Sequence, residues 1–144
     1  MRAVLTRVSS ASVRIDGATT ASIGRGFLVL LGVHVDDGPE QAAKMADRIC
    51  GLRIFEDENG KMNRSLADVG GAVLIVSQFT LYADTRSRRP GFTQAARPAT
   101  AIPLYEQVIA EVRSRGFEVQ TGEFGADMAV ESVNDGPVTI VLEN

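Results

Sequence analysis

The chain has 144 residues, a formal net charge of −3, one cysteine, one histidine and no tryptophan. Its length suits one domain, residues 1–144, that buries a core without disulfides, and its counts exclude an internal disulfide and a Cys/His zinc site within one chain. Apolar runs such as Phe27–Leu31 are too short to cross a bilayer, and no signal-like segment follows Met1-Arg2, so the expectation is a cytoplasmic protein without membrane, metal or cofactor.

Arg2–Val8 reads as an apolar strand, and Ala11, Val13 and Ile15 alternate with polar residues as in a half-buried strand. Asp16-Gly17 supplies a hairpin turn. Gly26–Val33 is a continuous apolar run, which predicts a strand buried on both faces. Gly38-Pro39-Glu40 opens a helix whose apolar stripe is Met45, Ile49 and Leu52. Leu52–Phe55 reads as a short strand and Asp57–Gly60 as a turn. Gly70-Gly71 precedes a buried strand, Ala72–Val76, predicted to run on into Ser77–Tyr82. Asp84–Pro98 reads as an irregular loop. A second helix is predicted to begin near Pro103, with Leu104, Val108 and Val112 as its stripe and Gly116 as its stop. Phe117–Thr121, Met128–Val133 and Val138–Leu142 are strand candidates. The sum is an α/β chain: a mixed sheet or open barrel-like β-structure with two packed helices.

Charge is uneven. Arg86, Arg88, Arg89 and Arg97 fall in a twelve-residue stretch without an acid, whereas Gly116–Asn144 has six acids and no base. A basic loop on an acidic body can guide a phosphate backbone to one place; equally, its arginines can pair with nearby carboxylates.

Three segments carry candidate chemistry. Polar groups appear abruptly in Ser77-Gln78-Phe79-Thr80-Leu81, at the end of an apolar strand. A strand there puts Ser77, Phe79 and Leu81 on one face and Gln78 and Thr80 on the other. Such an end can line a pocket or simply pair across the sheet. Asn134-Asp135-Gly136-Pro137-Val138-Thr139 reads as a tight turn. Its functional version needs a cis Gly136-Pro137 bond, which would aim consecutive carbonyls in nearly one direction. Phe124-Gly125-Ala126-Asp127-Met128 sets two large apolar groups around a glycine, as core or as pocket wall. His34 reads as a loop histidine and Cys50 as a small core residue. Gly24 and Gly26 lack the spacing of a dinucleotide loop.

Together the Ser77–Leu81 and Asn134–Thr139 segments resemble the two signature motifs of the D-aminoacyl-tRNA deacylases. The resemblance spans the chain and includes Arg7 with Ala11-Ser12-Val13, Leu52-Arg53-Ile54-Phe55, Asp57–Asn63 and Phe124–Met128. The basic loop is a residue shorter than the family's usual version. The resemblance implies an enzyme acting on aminoacylated tRNA, as a homodimer in which Gly136 and Pro137 of one subunit enter the active site of the other. Their carbonyls would hold the substrate's amino group and leave no room for an L side chain, while Arg7 braces the motif. Gln78, Phe79, Phe124 and Met128 would help hold the terminal adenosine, with Gly125 also on the substrate side, and Ser77 and Thr80 would sit near the ester; the charge of the basic loop points Arg86, Arg88 and Arg89 at tRNA phosphate. An aminoacyl ester is already activated and has a ribose 2′-hydroxyl beside it, so orientation and backbone N–H donors are the enzyme's share. The competing readings are a non-enzymatic RNA-binding module built on the Arg86–Arg97 loop, and a small-molecule hydrolase with Thr80 or Ser77 as nucleophile.

Overall fold

The computed structural model describes residues 1–144. Strand β1 (Arg2–Ile15) turns at Asp16-Gly17, both at positive φ, into β2 (Ala18–Ile23), and β3 (Gly26–Gly32) follows. Helix α1 (Pro39–Gly51) leads to a two-stranded ribbon, β4 (Phe55–Glu56) with β5 (Met62–Arg64), and to a one-turn helix α2 (Leu66–Val69). Then come β6 (Ala72–Ser77), a 3₁₀ turn (Phe79–Tyr82), helix α3 (Pro98–Ser114), β7 (Val119–Thr121) and β8 (Ala129–Glu143). The sheet order is β2-β1-β3-β6-β7, with β8 on the other side of β1. β1 is antiparallel to β2, β3 and β8, while β6 runs parallel to β3 and β7. β3 takes the first half of β1 and β2 the second, so the sheet curls until β2 meets β6 and β7. The result is a mixed sheet nearly closed into a barrel, with α1 and α3 packed together on one face. No helix is long and apolar enough to cross a membrane.

Two apolar layers explain the shape. Ala3, Leu5, Phe27, Val29, Leu31, Val73 and Ile75 face the helices, meeting Met45 and Ile49 of α1 and Leu104, Val108 and Val112 of α3. Val8, Val13, Leu28, Leu74 and Val76 fill the inside of the curl. Side chains alternate across a strand, so β3 and β6 supply both layers, and this is why their sequences are apolar without interruption. Each fully buried aliphatic side chain contributes about 1.5–3 kcal/mol. Gly26, at φ 157, lets β3 begin against β6: a Cβ there would lie 1.8 Å from the Ala72 carbonyl oxygen. Cys50 is buried, and burial pushes its thiol up from the ordinary value.

Several elements differ from expectation. The strand predicted through Tyr82 ends at Ser77, and Phe79–Tyr82 is a 3₁₀ turn, so the two-face alternation of Ser77–Leu81 does not hold. Helix α3 begins at Pro98, which needs no N–H at the first helical position. Pro103 sits inside it, and Ala99, whose carbonyl loses that N–H, is exposed. Leu52–Ile54 is not a strand; pairing starts at Phe55. The last two strand candidates form one element, β8, that carries Asn134–Pro137 within it. Helix α2 and strand β5 were not foreseen.

Candidate active site

The site grows from the carboxyl ends of parallel β3 and β6. Ser77 lies opposite Leu31, and the next N–H, of Gln78, donates to the Leu31 carbonyl at 2.8 Å. The chain then turns: Leu81 N–H donates to the Gln78 carbonyl and Ala83 N–H to that of Thr80. The N–H groups of Phe79 and Thr80, at the start of the turn, have no partner within it. Gln78 is half-buried and Thr80 exposed, and the Gln78 amide donates to the Thr80 hydroxyl oxygen at 2.5 Å. An amide cannot take a proton from that hydroxyl. Phe79 is 53% exposed, a large apolar face offered to solvent.

A second wall comes from the segment between β7 and β8. Gly122 N–H donates to the Ile75 carbonyl at 3.2 Å, the same oxygen that accepts the buried Tyr105 hydroxyl at 2.9 Å. Burial pushes the Tyr105 pKa up to about 12, so it remains a donor. Phe124 leans on Tyr105 with ring centres 6.1 Å apart. A Cβ on Gly122 would lie 2.7 Å from the Met128 sulfur and 3.6 Å from Val76, so Met128 packs beside the end of β6. Gly125, at φ 79, reverses the chain between Phe124 and Met128. The structure therefore brings Ser77, Gln78, Phe79, Thr80, Phe124 and Met128 to one end of the parallel strands, where open α/β sheets place their ligands.

The basic loop is tied to this end. Asp84 and Gly91 exchange backbone hydrogen bonds at its neck, and Phe92 meets Phe79 edge-on at 5.1 Å. Arg86 is taken up by Asp84 through three side-chain hydrogen bonds. The Arg86 guanidinium, and then its backbone N–H, hold the Asp84 carboxyl below the usual carboxylate range. Arg88 and Arg89 make no ion pair and point charge to solvent.

Gly136 and Pro137 sit elsewhere. The bond between them is cis, and the segment from Asn134 to Pro137 is exposed. Beneath it lies Arg7, 5% exposed and the one charged side chain in the core. Its Nε donates to the Asp135 carbonyl at 3.1 Å and its Nη1 to the Ile54 carbonyl at 2.7 Å. Val138 N–H donates to the Asn134 side chain at 3.1 Å, closing the loop on itself. Arg7 stands five residues along β1 from Arg2, and Arg2 reaches the Phe79–Tyr82 turn through the Leu81 carbonyl. At about 3.4 Å per residue, the two loci are roughly 17 Å apart along the strand. Arg2 and Phe92 were missed in the sequence; Arg2 read only as a strand start, and Phe92 as part of an irregular loop.

The family model described as D-Tyr-tRNA(Tyr) deacylase matches residues 4–143. A D-aminoacyl-tRNA deacylase of Anaeromyxobacter dehalogenans is 59% identical over 100% of this chain and 97% of its own, and one of Thermus aquaticus is 54% identical over 100% and 95%. Among solved structures, a c-Myc DNA Unwinding Element Binding Protein superposes with a TM-score of 0.95 at 40% identity, covering 100% of this chain and 99% of its own. A probable eukaryotic D-amino acid tRNA deacylase superposes with a TM-score of 0.84 at 18% identity, covering 98% and 97%, a likeness of fold.

Proposed function

The chain belongs to the D-aminoacyl-tRNA deacylase family and is a hydrolase of the ester joining a D-amino acid to tRNA; from there we propose how it chooses and cleaves its substrate. It works as a homodimer in which the Gly136-Pro137 segment of one protomer enters the site at the end of β6 of the other. The observation that carries this reading is the grip of buried Arg7 on an exposed glycine-proline segment set apart from its own protomer's strand-end site. A charge is buried at a cost of several kcal/mol unless its hydrogen bonds are supplied, so Arg7 makes that segment rigid. The edge of β8 supports the dimer. β8 pairs only with β1, and along it Val130, Val133 and Val141 are exposed. A long free edge with apolar side chains calls for a partner.

The Gly136 and Pro137 carbonyls hold the amino group of the esterified amino acid and exclude an L side chain. A D side chain points away, and glycine has nothing to exclude, so glycine mischarged on the tRNA for alanine is also a substrate. Gln78, Phe79, Phe124, Gly125 and Met128 hold the terminal adenosine, with Phe79 or Phe124 as the stacking face. The N–H groups of Phe79 and Thr80 receive the developing oxyanion. The substrate's 2′-hydroxyl helps activate water, since Thr80 meets an amide where a nucleophile needs a base. Arg88 and Arg89 meet tRNA phosphate; Arg86, paired with Asp84, shapes the loop that presents them. Such a substrate places the protein in the cytoplasm.

Single-turnover hydrolysis of D-alanyl, L-alanyl and glycyl esters on one tRNA tests this. D-alanyl and glycyl esters should be cleaved and the L-alanyl ester spared. Equal cleavage of both alanyl esters would refute the exclusion mechanism, rejection of the glycyl ester would mean that a D side chain is recognised positively, and salt-sensitive binding without turnover would favour a non-enzymatic RNA-binding module.

A further inference from the structure

Glu143, Arg2 and Gly32 are register partners across β8, β1 and β3, so one row of the sheet presents them on one face. The Phe79–Tyr82 turn rests on that row. Arg2 Nη1 donates to the Leu81 carbonyl at 2.6 Å, its guanidinium carbon stands 4.7 Å from the centre of the Tyr82 ring, and its Nε pairs with Glu143. Gly32 leaves space for the turn. A Cβ there would come within 3.0 Å of the Gln78 carbonyl oxygen, 3.2 Å of Leu81 Cβ and 3.3 Å of Tyr82 Cδ2.

We propose that Arg2 is a positioning residue for ester hydrolysis, holding the turn that carries Gln78, Phe79 and Thr80 in place, with Glu143 orienting it. The proposal rests on the deacylase reading of that turn. The last carbonyls of a helical turn lack intrahelical donors and form its negative end, so a guanidinium is suited to closing it. The same guanidinium covers a neighbouring ring, which a lysine cannot match in shape. Three partners, two on the turn and one on β8, therefore fix one planar group. A plain surface ion pair would need only Glu143; the carbonyl and the ring join Arg2 to the reacting end of the molecule. Fixing the far end of a four-residue turn fixes its start, where the Phe79 and Thr80 N–H groups lie. A displacement of about 1 Å in catalytic groups can cost on the order of a hundredfold in rate.

The test is single-turnover hydrolysis of D-alanyl-tRNA by the full chain, reading the saturating rate and the half-saturating enzyme concentration separately. Arg2→Met keeps the aliphatic stem and should lower the saturating rate by about ten- to a hundredfold with little change in half-saturation. Arg2→Lys should recover part of the loss, because an ammonium can still reach the Leu81 carbonyl. Glu143→Gln should give a smaller loss in the same direction, and serves as the variant if Arg2→Met melts early. Arg115→Met breaks the Arg115–Asp47 pair, which joins α1 to the end of α3 and whose arginine is as exposed as Arg2 at 35%, and should leave the rate unchanged. A wild-type rate in both Arg2→Met and Glu143→Gln would overturn the proposal, as would a loss seen equally in Arg115→Met or confined to half-saturation. Failure of the unaltered chain to cleave D-alanyl-tRNA would instead overturn the deacylase reading.

Discussion

Thr80 carries the exposed hydroxyl of the site, yet its neighbour is the Gln78 amide. Thr80→Ala should therefore retain substantial single-turnover activity, whereas a charged tRNA lacking the terminal 2′-hydroxyl should react far more slowly; complete loss in a folded, substrate-binding variant would restore Thr80 as nucleophile. Asp84 gives a pH-dependent counterpart. Its carboxyl is depressed chiefly by Arg86, so the contact contributes above the unfolded value, about 3.9, and is lost as pH falls through the lower folded value. Carboxyl NMR titration should find a midpoint below the ordinary one, moving up in Arg86→Ala; an unmoved midpoint would mean that Arg86 does not hold Asp84. Residue types at the site were legible because polar groups end an apolar run at Ser77. Their orientation was not, since four residues of 3₁₀ turn have no period to distinguish them from a strand.

Among elements, β3 and β6 were the most legible, because burial on both faces leaves them no polar position. The edges were less so. β5 has three exposed residues, and α2 has four residues, too few for a periodic stripe. What holds α2 is a reciprocal cap: the Ser65 N–H donates to the Asp68 carboxylate at 2.8 Å, and the Asp68 N–H to Ser65 Oγ at 3.4 Å. Leu66 is fully buried beneath it. Ser65→Ala should cost about 0.5–2 kcal/mol, with the long second hydrogen bond favouring the low end. Leu66→Ala should cost about 2–5 kcal/mol. Urea unfolding checks both, and a larger loss for Ser65→Ala than for Leu66→Ala would contradict this division. The start of α3 was misplaced because Pro98 and Pro103 each suit a helix beginning, and only the packing of Ala101 against the core selects the first.

At the scale of the molecule, the proposed dimer makes the active site a property of two chains. Val133 on β8 is 57% exposed, and Val133→Asp should change the stability of the isolated chain by roughly 0.5 kcal/mol or less. In the dimer the same charge would be buried. The variant should therefore sediment as a monomer with an unchanged circular dichroism spectrum and lose hydrolysis; a fully active monomer would refute the shared site. The mixed sheet with its two long helices was legible from the order of elements, whereas the single long β8 was not, because Asn134-Asp135-Gly136-Pro137 has the composition of a turn.

The pairing of Arg2 with Glu143 has a consequence for how the protein is made. β1 is made before the other strands of this sheet, and its partner along one whole edge, β8, after all of them. Closing a contact across nearly the whole sequence is an entropic cost met late, and sheets dominated by such contacts fold slowly. A nascent chain can assemble β1–β3 with α1 and β6, but until β8 arrives, Ala3, Leu5 and Val13 lie next to an unpaired backbone edge. During translation the protein thus carries an open, apolar strand edge of the kind that recruits chaperones or aggregates. Its slowest vulnerability belongs to the unfinished chain, and ends when the last fifteen-residue strand takes its place.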